Sequence, residues 1–355
     1  MSKAYDCIGV MSGTSLDGVD IVHCTLSLSN NTYTYKLLEC KTYSYSEEWI
    51  ATLKAAFQKK SSDLSELDKV YGKFLGNLIL KFKKENKIDT VDFIASHGHT
   101  IFHKPEEGVT VQIGCGKEIS KITNTKVIYD FRTQDVAMGG QGAPLVPVGD
   151  ALLFSEFDYC LNLGGFSNVS YDEKGIRKAF DICPVNSVMN HYMRQIGKSY
   201  DDKGRLAASG KIHAELLQKL NSDPFYVLPY PKSLGFEFVQ QNVLPLIDSY
   251  HLQIKDVLRT YVEHIAMQIS KVLSQKEESK TLVTGGGAYN VFLMQRIEML
   301  STTQISIPSK KSVEFKEALL FAFLGMLKLE GEINCLSSVT GASKDHSSGK
   351  IANPK

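Results

Sequence analysis

Twice in this sequence a short apolar run stops at a polar, glycine-bearing turn and then resumes, and the two occurrences open the two halves of the chain. In the first, residues 5–11 read as a buried strand and residues 19–28 alternate as its neighbour. In the second, residues 159–163 and 169–171 flank a turn built from Gly164, Gly165 and Asn168. Paired openings of this kind point to an old duplication rather than to a short tandem repeat.

What lies between the hairpins sets the class. Residues 49–59 and 64–86 carry helical periodicity, and residues 90–95 return to a buried strand. Later, residues 256–274 read as a helix, 281–284 as a strand, and 314–329 as a strongly apolar helix. Helices alternating with strands make the chain α/β. Its 355 residues, 43% of them hydrophobic, are enough for two cores. Gly and Pro crowd residues 138–147, too densely for an element interior, so the boundary is placed near there. The expected domains are 1–131 and 132–324, with about 325–355 packing back on the first. The Ser- and Lys-rich stretch 337–355 is expected to run over the surface.

Charge and cysteine content narrow the partners. Forty Lys and Arg against 39 Asp and Glu leave a net charge of +1, which gives no polyanion-binding surface, so neither nucleic acid nor a membrane is an expected partner. The seven cysteines are scattered and form no CxxC pair, as befits a reducing cytoplasm. No signal peptide is readable at the start, and the longest apolar stretch, 318–327, is far short of a membrane span. A homodimer is one assembly open to such a chain.

Four groups of residues could carry chemistry. In Gly13-Thr14-Ser15-Leu16-Asp17-Gly18-Val19-Asp20, glycine lets backbone N–H groups converge on an anion and the hydroxyls add donors. Asp17 and Asp20 would hold Mg²⁺ or its waters rather than phosphate. The same residues also suit an ordinary hairpin tip, and the Gly-Lys-Ser/Thr ending of a Walker loop is absent. Gly164-Gly165 and Gly285-Gly286-Gly287 repeat the pattern at two further strand ends, which favours phosphate binding. His97, His99 and His103 could ligate a transition metal, although Gly98 marks a bend between the first two and a histidine in a polar turn is more often a hydrogen-bonding group. Asp181, near the end of an apolar strand and just before a helix that starts near 184–187, is either a general base or a cap. Arg132 and Glu317 are either substrate anchors or surface charges.

The run Ile8-Gly9-Val10-Met11 continuing through Asp20 resembles the N-terminal signature of the anhydro-N-acetylmuramic acid kinases. The likeness continues in order through Ser96-His97-Gly98-His99-Thr100, Asp130-Phe131-Arg132, Gly139 to Pro147, Leu161 to Asn168, Pro231-Lys232-Ser233, Gly285 to Asn290, Glu317-Ala318-Leu319 and Ser338 to Ala342. That resemblance implies two actin/hexokinase-like (ribonuclease H-like) domains with ATP and Mg²⁺ in a cleft between them. It implies phosphorylation of O6 of 1,6-anhydro-N-acetylmuramic acid as water opens the anhydro ring, giving N-acetylmuramic acid 6-phosphate and ADP in cell-wall recycling. Asp181 matches the family's catalytic aspartate. Gly13 to Asp20 and the glycines at 164–165 and 285–287 match ATP-binding positions, and His97, Arg132 and Glu317 fall on the substrate side.

One departure stands beside the catalytic position. The family's usual Thr-Gly-Pro-Gly-Asn reads Ile182-Cys183-Pro184-Val185-Asn186 here, so Cys183 and Val185 are expected to narrow the sugar pocket. That change motivates the alternative of a non-catalytic nucleotide and sugar sensor on the same scaffold.

Overall fold

The computed structural model describes residues 3–13, 16–59 and 61–354. They fall into two compact units, Met1–Leu153 with Phe315–Lys355, and Phe154–Glu314.

In the first unit, β1 (Lys3–Ser12), β2 (Val19–Ser29) and β3 (Thr32–Tyr43) form an antiparallel meander. On the other side of β1 lies β4 (Phe93–Lys104), parallel to it. The end of β4 takes β5 (Val109–Ile113) in antiparallel pairing, and β6 (Val127–Tyr129) extends the sheet in parallel. The last strand of the chain, β12 (Lys350–Ala352), closes that edge against β6. Cys7, Ile8 and Val10 of β1 are all buried, the mark of a central strand covered on both faces.

Each cover is legible in residue spacing. The helix Ser65–Glu85 buries Tyr71, Leu75, Ile79 and Phe82, a stripe at helical period. Against Gly9 of β1 runs the helix Lys310–Glu330, so closely that a Cβ on Gly9 would stand 2.0 Å from the carbonyl oxygen of Ala318. Only glycine permits that approach.

The second unit repeats the plan. β7 (Tyr159–Leu163), β8 (Phe166–Glu173) and β9 (Ile176–Pro184) form the meander, and β10 (Lys280–Thr284) and β11 (Gln304–Ser306) follow in parallel beyond β7. Its order, β11-β10-β7-β8-β9, matches β6-β4-β1-β2-β3 of the first sheet. The helix Ile254–Leu273 lays Tyr261, Ile265 and Ile269 into this unit's core. Both units therefore have the same α/β topology. No helix among the described residues is long and apolar enough to cross a membrane.

The division between units differs from the sequence reading in two places. The first unit extends to Leu153 instead of ending at 131, because the helix Pro147–Leu153 docks on Lys310–Glu330 through an Asp150–Lys316 ion pair of 2.7 Å. The return to the first unit comes at Phe315, inside that helix, rather than near 325. The C-terminal stretch is not a surface tail either. Thr340 and Ser348 are almost completely buried, and β12 is a sheet strand, since Asn334 offers both amide protons to the Leu324 and Ser348 carbonyls and pins the segment inside.

Candidate functional site

The tip of the β1–β2 hairpin begins just beyond Met11, which faces Asp20 across the ladder. Thr14 and Ser15 lie outside the described residues. Gly18 is required where it stands, because a Cβ there would come within 2.5 Å of the Tyr43 carbonyl oxygen. Val19 is fully buried, so its side chain anchors the loop to the core. Leu16 has left-handed backbone, φ 60°, and packs against the same core. Asp20 accepts from the Thr42 hydroxyl at 2.5 Å.

Beneath the loop sits a buried polar chain. Ser12 Oγ lies 2.8 Å from His99 Nδ1, 2.6 Å from the Tyr45 hydroxyl and 2.8 Å from that of Tyr71. Burial lowers the His99 imidazole to about 4, so it is neutral at physiological pH.

His97 faces a different partner. The register of β4 against β1 slips between the partners of Val10 and Ser12, so Ser96 pairs with Val10 but His99 with Ser12. Such an irregularity re-aims side chains. His97 Nδ1 lies 2.9 Å from the Gly98 carbonyl, which can only accept, so Nδ1 carries the ring proton. Nε2 is thereby left to accept the Arg132 Nε–H at 3.0 Å. Burial, reinforced by the Arg132 charge, holds His97 well below the usual imidazole range. His103 turns to Thr110 instead. The three histidines turn to different partners, so the reading of them as a shared transition-metal site is not supported.

Arg132 sits at the start of the helix Thr133–Ala137, and its second anchor is the Gly142 carbonyl, 2.6 Å from Nη1. Burial pulls its pKa down to about 10, partly offset by Glu317, so the guanidinium stays charged at neutral pH. Glu317 keeps solvent access on the helix Lys310–Glu330, yet desolvation by the surrounding protein raises its carboxyl. Arg132 opposes that rise and Asp20 adds to it. Glu317 thus senses both Arg132 and Asp20, while His97 also borders a cavity of about 270 Å³ whose lining sets Asp68 and Asp130 beside Lys117 and Lys350. Asp17 and Asp20 both act electrostatically on Tyr45.

In the second unit the other two glycine turns meet. Asn186 bridges them, with its amide group 3.4 Å from the Leu163 carbonyl and close to the backbone of Gly287. The Gly165 carbonyl accepts from the N–H groups of Val185 and Ser187. Gly165 and Gly286 are exposed, and a Cβ on either would meet nothing closer than 3.9 Å. Open space above bare backbone is what a phosphate chain needs. Gly285 and Gly287 instead press on Leu163, so they shape the turn from behind.

Asp181 is not at the end of its strand. Asn168 pairs with it and Ser167 with Cys183, which leaves Ile182 as the extra residue of a β-bulge. Asp181 is half-buried, and Oδ2 accepts the Leu234 N–H at 2.8 Å. Among the described residues no hydrogen bond falls on Oδ1. Burial raises its carboxyl and the Leu234 bond partly lowers it again. The following helix begins at Asn186, too far along for Asp181 to cap it.

Cys183 and Val185 do not narrow a pocket. Both are completely buried in the second unit's core, Cys183 with its sulfur 3.3 Å from Ser167 Oγ. Ser12, Tyr45, Tyr71 and the bulge at Ile182 were beyond the reach of sequence reasoning, because each depends on pairing across the sheet.

Comparison with known proteins follows this geometry. A family model described as anhydro-N-acetylmuramic acid kinase matches residues 5–354. Proteins of that description from Francisella tularensis subsp. novicida (strain U112) and Pseudomonas fluorescens (strain Pf0-1) are 33% and 37% identical to this chain. The first alignment covers 99% of both chains, the second 94% of this one and 96% of the relative. Among solved structures, an activator of the 2-hydroxyisocaproyl-CoA dehydratase from Clostridium difficile with bound ADPNP aligns over 92% of this chain and 97% of its own, with 12% identity and a TM-score of 0.45.

Proposed function

Because this chain belongs to the anhydro-N-acetylmuramic acid kinase family, we propose a course for its reaction in which Asp181 activates water at the anomeric carbon of the sugar. The protein is a kinase, and its substrate is anhydro-N-acetylmuramic acid. Water adds to C1 as Asp181 Oδ1 takes its proton, the C1–O6 bond breaks, and the freed O6 bonds to the γ-phosphorus of ATP with ADP leaving. N-acetylmuramic acid 6-phosphate is the product, and murein recycling in the cytoplasm is the setting.

The observation that carries this reading is the state of Asp181. A bulge aims it, one oxygen is tied to Leu234, and burial raises its basicity. Arg132 and His97 form a rigid pair that suits a carboxylate- and hydroxyl-bearing sugar, with Glu317 beside them. In the second unit the exposed Gly165 and Gly286 backbone suits the phosphates of ATP, and in the first unit the hairpin loop does. Mg²⁺ bound near Asp17 and Asp20 would neutralise phosphate charge.

The sensor alternative rested on Cys183 and Val185, and their burial in the core removes its motive. Release of ADP that depends on the anhydro sugar tests the reading. Tight binding of both ligands with no such release would favour the sensor.

A further inference from the structure

Asp135 and Cys335 stand 200 positions apart in the chain, yet the thiol donates to the Asp135 Oδ1 at 3.0 Å in the interior of the first unit. His346 joins them. An isolated antiparallel bridge sets Cys335 and His346 opposite each other, with both N–H to carbonyl bonds at 3.1 Å. Directly opposed residues on such a bridge place their side chains together. One donor atom from each of Asp135, Cys335 and His346 lies within 4.8 Å of the other two, and all three residues are buried.

The imidazole shows what is missing. His346 Nδ1 lies 3.1 Å from the Lys344 carbonyl, which can only accept, so the Nδ1–H donates there. Nε2 is buried, has no hydrogen-bond partner among the described residues, and lies 3.6 Å from Asp135 Oδ1. A buried ring nitrogen left without a hydrogen bond, beside a carboxylate and a thiol, is an available ligand atom for a cation. An N–H to backbone carbonyl bond on the far nitrogen is also how metal-ligating histidines are oriented.

We propose that Asp135, Cys335 and His346 form a binding site for a zinc-class divalent ion. Oxygen, thiolate and imidazole together favour Zn²⁺ or Co²⁺ over Mg²⁺ or Ca²⁺. Tetrahedral bonds of about 2.0–2.3 Å would put ligand atoms roughly 3.3–3.6 Å apart, close to the separations already present. On binding, the Cys335 thiol loses its proton to solvent and the sulfur bonds to the metal. Asp135 Oδ2 is held meanwhile by the Gly142 N–H at 2.6 Å, and Thr340 Oγ1 donates to Oδ1 at 2.8 Å.

The ion would staple the C-terminal segment to the helix Thr133–Ala137, which starts immediately after Arg132. Gly142 links the two sites, since its N–H meets Asp135 and its carbonyl receives Arg132. The metal is therefore structural and acts on Arg132 only through position.

The test uses the whole protein and Co²⁺ alone. Chelator-stripped protein is titrated anaerobically with Co²⁺, and the thiolate-to-cobalt charge-transfer absorption and the tetrahedral visible bands are read. One equivalent should saturate both, Zn²⁺ should displace the Co²⁺, and excess Mg²⁺ should not. His346→Gln, which keeps the thiol, should weaken Co²⁺ binding by about tenfold or more. Cys335→Ser should abolish the charge-transfer band. Absence of that band in the wild type overturns the proposal without reference to any variant. Unchanged Co²⁺ affinity in His346→Gln also overturns it, because His346 would then not be a ligand. No substrate enters the assay, so this result is independent of the kinase mechanism.

Discussion

Arg132 donates its Nε–H to His97 Nε2 at 3.0 Å, so a charged guanidinium is held in place by a neutral imidazole. His97→Ala removes that acceptor and leaves Arg132 anchored by Gly142 alone. A hydrogen bond to a charged group is worth about 1.5–3 kcal/mol, so kcat/KM for the sugar should fall roughly 10–100-fold, mostly through KM. His97→Gln, which keeps an acceptor, should recover part of the loss. Steady-state kinetics with the sugar varied measure the split, and an unaltered KM in His97→Ala would remove Arg132 from the sugar site.

Val185 is buried in the core of the second unit, so restoring the family's glycine should harm stability without helping the substrate. Val185→Gly should destabilise by about 2–4 kcal/mol through the cavity and the added backbone freedom. Its KM for the sugar should stay within about twofold of the wild type. Urea melts and initial rates check both, and a markedly lower KM would mean that the side chain faces the sugar.

Three buried histidines make stability depend on pH. His99 is lowered to about 4, His264 to about 3, and His97 well below the ordinary range, each chiefly by burial. Unfolded imidazoles titrate near 6.5, so below that pH the unfolded state binds more protons and stability falls. For His99 the loss runs from about 6.5 down to about 4, at up to about 1.4 kcal/mol per pH unit. His99→Asn should flatten the slope by about that amount between pH 6 and 4.5. Denaturant melts across this range show it, and parallel slopes would mean that His99 is protonated in the folded protein.

The carboxyl of Asp181 is raised by burial, and the base must be ionised to accept a proton. Activity should be full above its pKa and lost as pH falls through it. The acid limb of kcat/KM should therefore lie above the ordinary aspartate value of about 4. A limb at or below that value would place the group in water rather than in a desolvated site.

The hairpins, the α/β class and the glycine turns were legible because each is local, a period or a turn residue read within a few positions. Asp181, Arg132 and His97 were picked out by the motifs around them. Partnerships were not legible. His97 and His99 look alike two residues apart, and only the register slip in β4 sends one to Arg132 and the other to Ser12. Cys183 and Val185 read as intrusions into a pocket, but the bulge at Ile182 decides which residues of that strand face the core, and both do. The C-terminal stretch was composed like a surface tail, while the asparagine that buries it, Asn334, bonds to backbone that composition does not display.

The most direct test of water activation by Asp181 is to run the reaction in H₂¹⁸O with the anhydro sugar and ATP and to locate the label by mass spectrometry. Preformed product incubated in the same water corrects for exchange at the anomeric centre. Label should appear at C1, with phosphate on unlabelled O6, and Asp181→Asn should slow product formation by about 10²–10⁴-fold while still binding ATP. Product carrying ¹⁸O in its phosphate group, or unlabelled at C1 beyond the exchange control, would contradict the mechanism.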